Sequence, residues 1–147
     1  MPQSLVKFLV HVVWSTKDRV RIIPAGIETR LFAYIGGIIK DNGGRMLIAG
    51  GDADHIHILV SIGKCDLTKL IGTIKRETSK WMKENGVRKF YWQRGYGAFS
   101  VGQSQVEAVS GYIRDQKVHH KRQTFQDEFR VLCRRYEVEI DERYCWD

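Results

Sequence analysis

The chain has 147 residues, 43% of them apolar, which suits one domain with a real core. No apolar run reaches the length of a membrane span, the N-terminus lacks a signal-peptide pattern, and three scattered cysteines (Cys65, Cys133, Cys145) without a C-x-x-C pair point to a reduced, cytoplasmic protein. A net charge of +7 points to a polyanionic partner.

Leu5 to Trp14, "LVKFLVHVVW", is apolar and β-branched and reads as a buried strand. Ile27, Leu31, Tyr34, Ile35, Ile38 and Ile39 then follow helical spacing. Arg45 to Ala49 is a short strand, and "GGD" at Gly50 to Asp52 reads as a hairpin turn into the next one. That strand, "DHIHILVS", carries His55 and His57. Residues two apart on a strand share a face, with Cα atoms roughly 6–7 Å apart, so the two imidazoles can converge on one metal ion. Two half-exposed polar residues on an open sheet face fit the pattern as well. Leu59, where a third histidine would stand, disfavours a histidine-triad hydrolase. Asp52 and Asp54 flank the pair, as turn residues or as partners that orient an imidazole.

Asp66 is placed to cap a helix whose apolar stripe is Leu67, Leu70, Ile71, Ile74, Trp81 and Met82, with Gly86 to end it. From Lys69 to Arg94 eight basic residues face two acidic ones, interleaved with Trp81, Tyr91, Trp92 and Tyr96; the last 22 residues are net acidic. Basic groups beside aromatics suit a nucleic-acid backbone and unstacked bases, and a solvated helix face is the alternative. On composition, Lys75, Arg76 and Lys80 are candidates for phosphate contacts, and Trp92 or Tyr96 for stacking on an unpaired base. Phe90 to Val101 holds strand-like pieces broken by Gly95 and Gly97. "SQVE" from Ser104 resembles a capping box that opens another helix, and "TFQD" from Thr124 resembles a second. On the first, Tyr112 and Gln116 share a face, with His119 near it. On the second, Phe125, Phe129, Leu132, Cys133 and Tyr136 recur at helical spacing.

The order is β-α-β-β-α-β followed by two helices. This predicts an α+β, ferredoxin-like antiparallel sheet, the arrangement also used by RNA-recognition modules. A single domain is expected over 1–147, with a core at about 1–102 and a tyrosine helix and C-terminal helix over about 103–147.

With "VHVVWSTKDR", "DHIHILVS", "GYGAFSVGQS", "YIRDQKVHH", "TFQDEF" and "DERYCWD" in this order, nearly the whole chain resembles the single-tyrosine HUH transposases of bacterial and archaeal insertion sequences. The resemblance implies a metal-dependent enzyme that cleaves and rejoins single-stranded DNA at hairpin-marked element ends. Tyr112 would be the nucleophile and would form a 5′-phosphotyrosine. His55, His57 and Gln116 would hold Mg²⁺ or Mn²⁺, with nitrogen ligands favouring manganese. Lys117, His119 and His120 are candidates for proton transfer or phosphate contact. The phosphotyrosine conserves bond energy and no Walker pattern is present, so no nucleotide cofactor is expected. Relatives imply a homodimer in which the tyrosine helix serves the other subunit's histidines. The competing readings are a non-catalytic RNA-binding module of the same fold, a relaxase or replication initiator, and a domesticated relative acting on chromosomal repeat hairpins.

Overall fold

The computed structural model describes residues 2–147. Four strands, β1 (Leu9–Ser15), β2 (Arg45–Asp52), β3 (His55–Ser61) and β4 (Gly97–Val101), form one sheet in the order β2-β3-β1-β4. Every pairing is antiparallel. Helices α1 (Glu28–Asp41) and α2 (Leu67–Glu84) join them in the β-α-β-β-α-β order that the periodicities predict. Three further helices follow: α3 (Val106–Arg114), the single turn α4 (Gln116–His119) and α5 (Phe125–Arg135).

One sheet face carries Val12, Trp14, Ile56, Ile58 and Val60 against Leu31, Ile35 and Ile39 of α1 and Leu70, Ile71 and Ile74 of α2. Each such side chain taken out of water contributes about 1.5–3 kcal/mol before entropy is charged against it. Asp66 caps α2 through its carboxylate, which accepts from Lys69 N at 3.2 Å, and Gly86, at φ +95°, ends it. The opposite face carries Val13, Leu59, Phe99 and Val101, packed by Ile113 of α3 and by Phe125, Phe129, Leu132 and Cys133 of α5.

Three local expectations are corrected. Strand β1 starts at Leu9 rather than Leu5, because its partners Ser61 and Val101 are the last residues of their strands; Leu5, with nothing to pair against, is 82% exposed. Gly50 to Asp52 do not form the hairpin turn. They pair with His57, Ile56 and His55, and Ala53–Asp54 make the turn. The missing side chain of Gly50 serves packing instead: a Cβ there would stand 2.2 Å from the carbonyl oxygen of Ile113, so glycine lets α3 lie directly on β2. Finally, Ser104 makes no capping box. It lies in a one-turn 3₁₀ segment over Gln103–Gln105, and α3 begins without a side-chain cap. Thr124 does cap α5, accepting from Asp127 N at 3.1 Å.

Candidate active site

Strand alternation sends Ile56, Ile58 and Val60 toward α1 and α2, and His55, His57 and Leu59 toward α3–α5. Both histidines are fully buried. The Nδ1 atom of each has its own partner. His55 Nδ1 lies 2.7 Å from Asp54 Oδ1, and His57 Nδ1 lies 2.7 Å from Nε2 of the buried His11 on β1. Asp54 is thus the flanking aspartate that orients an imidazole; Asp52 instead pairs with Arg21 at 3.1 Å. With Nδ1 so held, both Nε2 atoms point into the space under the C-terminal helices.

There they meet Glu128. Its Oε1 lies 2.8 Å from His57 Nε2, 3.1 Å from His120 Nε2 and 3.7 Å from His55 Nε2. Its Oε2 accepts from the Tyr112 hydroxyl and from Gln116 Nε2, the latter at 3.1 Å. Gln116 Oε1 lies 2.9 Å from His55 Nε2, so the amide spans from the first histidine to the carboxylate. The Tyr112–Gln116 spacing survives although Asp115 interrupts the helix between α3 and α4. Helix α5 supplies Glu128 because its apolar stripe, Phe125, Phe129 and Leu132, docks on the sheet with the carboxylate inside it.

This grouping sets the protonation. Burial works against ionising Glu128, but the close His120 imidazole and the hydrogen bond to His57 overcome it and hold the carboxyl well below its ordinary range. Burial pushes the His57 pKa down. His11, buried and beside His57, drops to about 3 and stays neutral. Burial opposes a proton on His120, yet the Glu128 carboxylate raises it overall. Burial and then the Glu128 charge push the Tyr112 phenol upward, so it sits as a neutral donor.

Donor atoms of His55, His57, His120 and Glu128 all lie within 4.8 Å of one another. His120 Nε2 is buried and, despite its ion-pair distance from Glu128, lacks a hydrogen-bond partner of acceptable angle. An orphaned buried imidazole nitrogen facing two other imidazoles and a carboxylate fits a divalent transition-metal ion.

The other expected residues separate into two groups. His119 stacks on Tyr112 with ring centroids 4.9 Å apart, and His120 joins the cluster. The Lys117 ammonium lies 2.6 Å from Glu28. Lys75 donates to the carbonyl oxygens of Gln93, Arg94 and Gly95, and burial lowers its pKa to about 8. Trp92 is buried and donates its indole N–H to Thr78 Oγ1 at 2.8 Å. Both side chains thus have partners within the fold. Arg76 and Lys80 are exposed on α2, and Tyr96 is half-buried with its hydroxyl 3.1 Å from Thr68 Oγ1. The resemblance implied a tyrosine helix serving a second subunit; here Tyr112 sits against His57 of its own chain, ring centroids 5.8 Å apart.

The family described as transposase, IS200-like, matches residues 4–116, a span that contains His55, His57, Tyr112 and Gln116 but neither His120 nor Glu128. No curated protein sequence matches the chain. Among solved structures, the chain is similar to a candidate transposase from Deinococcus radiodurans R1, with a TM-score of 0.64 and 17% identity, over 79% of this chain and 95% of that one. It is also similar to a REP-associated tyrosine transposase bound to a REP hairpin, with a TM-score of 0.61 and 14% identity, over 82% of this chain and 73% of that one. At these identities the likeness is one of fold.

Proposed function

The chain belongs to the IS200-like transposase family, and from that premise we propose that it cleaves and rejoins single-stranded DNA at hairpin-marked sites through a 5′-phosphotyrosine on Tyr112. The observation that carries this reading is the meeting, on one carboxylate, of the Tyr112 hydroxyl, the Gln116 amide and the imidazoles of His57 and His120, with His55 joined through Gln116. The REP hairpin held by the second structural neighbour supports a hairpin as the DNA class.

His55, His57, His120 and Glu128 would hold the divalent cation, with Gln116 beside them. Bound there, it would polarise a non-bridging oxygen of the scissile phosphate and offset charge in the transition state. The chain's own groups do the rest. Asp54 and His11 fix the two ring orientations through Nδ1. Glu128 aims the phenol oxygen, and Arg135 favours the phenolate. In the cleavage step the Tyr112 Oη–P bond forms as the P–O3′ bond breaks. The phenol proton leaves on the side of His119, whose ring stacks on Tyr112, and the departing 3′ oxygen is protonated from solvent. Rejoining runs the same step backward, so no nucleotide is consumed.

Tyr112 meets its own chain's histidines, which supports a site assembled within one subunit. A homodimer that exchanges the helix is the second arrangement. Mixing His57→Ala with Tyr112→Phe subunits separates them, since activity returns in the heterodimer only if the helix crosses over.

The test of the function is incubation with a labelled library of single-stranded hairpins and Mn²⁺. A covalent protein–DNA adduct is expected on Tyr112, absent in Tyr112→Phe and absent in EDTA. An adduct mapped to Tyr91, Tyr96 or Tyr136, or one that forms at a normal rate in EDTA, overturns the proposal.

A further inference from the structure

The histidine–carboxylate cluster stands between two cavities. One, of about 330 Å³, contains Tyr112, His11, Arg135 and Tyr136. The other, of about 430 Å³, opens beyond the cluster and contains His120 and Asp54, the residue that orients His55. Tyr112 lines only the first of these cavities and His120 only the second.

The second cavity is strongly basic. Arg19, Arg21, Lys121 and Arg122 line it, and the capped start of α5 at Thr124 closes one side. Asp54 and Asp127 also line it, but Asp54 faces His55 and Arg21, and Asp127 pairs with Arg130. Lys121 and Arg122 are exposed and make no ion pair among the described residues. Arg19 is presented by two consecutive residues in left-handed backbone, Asp18 (φ 56°) and Arg19 (φ 54°), a conformation that costs about 1–3 kcal/mol at each non-glycine position. The turn is held there by Thr16 Oγ1, which donates to Val20 O at 2.7 Å. The wall between cavity and cluster is the buried His120 side chain, 3% exposed, with its unpartnered Nε2.

We propose that this cavity binds the backbone phosphate of the strand that leaves with the 3′-hydroxyl. The inference rests on the Tyr112 reading above and adds a polarity to it. In-line displacement places the leaving O3′ on the side of phosphorus away from the attacking phenol oxygen. With Tyr112 on one side of the cluster, the leaving strand lies on the His120 side, where the unpaired Lys121 and Arg122 and the first amides of α5 face its next phosphate, beside Arg21, which pairs with Asp52 and Asp54, and Arg19, which donates to Trp146 O at 3.0 Å. Holding that end keeps the 3′-hydroxyl poised for rejoining, since a captured nucleophile attacks as an intramolecular group.

The experiment uses the full chain and two ten-nucleotide oligothymidylates with a free 3′-hydroxyl, one carrying 5-iododeoxyuridine at its 3′ end and one at its 5′ end. Photo-crosslinking followed by peptide mapping is expected to place the 3′ probe on residues 19–21 or 120–125 and the 5′ probe elsewhere. In anisotropy titrations, Lys121→Ala/Arg122→Ala should reduce the slope of log affinity against log salt by about 1.4, roughly 0.7 for each phosphate no longer neutralised. A melting curve close to that of the unaltered chain establishes that the variant is folded. An unchanged slope, or crosslinking of the 5′ probe in this cavity, overturns the inference. The Tyr112 adduct assay stays separate: an adduct without these crosslinks sinks the cavity's role alone, and crosslinks with the adduct on another tyrosine sink the nucleophile assignment alone.

Discussion

Trp14 and Val13 are neighbours in sequence and end on opposite faces of one sheet, and those faces do different work. On the α1–α2 face the strand residues are apolar: Val12, Trp14, Ile56, Ile58 and Val60 meet mainly helix residues of the same kind. The α3–α5 face interleaves Val13, Leu59 and Phe99 with His11, His55 and His57, and buries Gln116 and Glu128 against them. Period-two alternation lets β1 and β3 serve both sides, so stability and chemistry are separated by one residue rather than by a domain boundary. The cost sits on the second face, where every buried polar group needs a partner.

The largest expected effect falls on that second face. His57→Ala should abolish Mn²⁺ binding measured by calorimetry and abolish the covalent adduct, because it removes a central donor and frees His11 and Glu128 from their partner. His11→Phe and Asp54→Ala sharpen the contrast, since each leaves the donors in place and removes only the group on Nδ1. They should weaken Mn²⁺ by about 10–100-fold. Unaltered affinity in both would show that Nδ1 contacts do not organise the site.

The apolar face should respond in the opposite sense. Ile58→Ala, one residue from His57, should cost about 2–5 kcal/mol in chemical denaturation through lost burial and a residual cavity. Its folded fraction should still form the adduct at the same yield per folded molecule. An adduct yield that falls further than the folded fraction breaks the separation of the two faces.

The sequence made the fold legible wherever its signal was local. Period-two and period-3.6 patterns placed four strands and their helices, and HUH and Y-x-x-x-Q each lie within a few residues of chain. What escaped depends on docking. Glu128 belongs to the site only because α5 lies on the sheet, and His11 only because β1 pairs beside β3 in a register that brings it diagonal to His57. A usable sign was present: an acid on the apolar stripe of a helix, between Phe125 and Phe129, demands a buried partner. Gly50 misled in the same way, since its close approach to Ile113 is a long-range contact and not a turn.

A smaller effect is expected from pH. His11 faces His57 of β3, Tyr112 of α3 and Phe99 of β4, with the Glu128 charge of α5 near, and stays neutral down to about pH 3. In the unfolded chain it takes up a proton near pH 6.5. Between those values the unfolded state binds more protons, so stability is complete above pH 6.5 and is lost as pH falls. By pH 5 the loss from His11 is about 2 kcal/mol. His57 acts in the same direction. Glu128 adds to the loss below its ordinary 4.5, and His120, raised, acts oppositely. Denaturation at pH 7 and pH 5 should therefore show a decline that is shallower by about 2 kcal/mol in His11→Phe. Equal declines would mean that His11 titrates normally in the fold.

The smallest effect is expected at the surface of α2. That helix covers the apolar face, so Arg76 and Lys80 lie on the far side of the molecule from Tyr112. DNA that reaches them must extend beyond the cleavage site, and their contribution is affinity without chemistry. Lys75 is left out because its ammonium binds three carbonyl oxygens, and its replacement would report on the fold. In Arg76→Ala/Lys80→Ala the salt slope for a single-stranded hairpin should fall by about 1.4 if both residues touch phosphate. Adduct yield at saturating DNA should stay unchanged, because no group at the cluster is altered. A slope equal to that of the unaltered chain would make α2 a solvated helix face and confine DNA to the side of the sheet that carries the histidines.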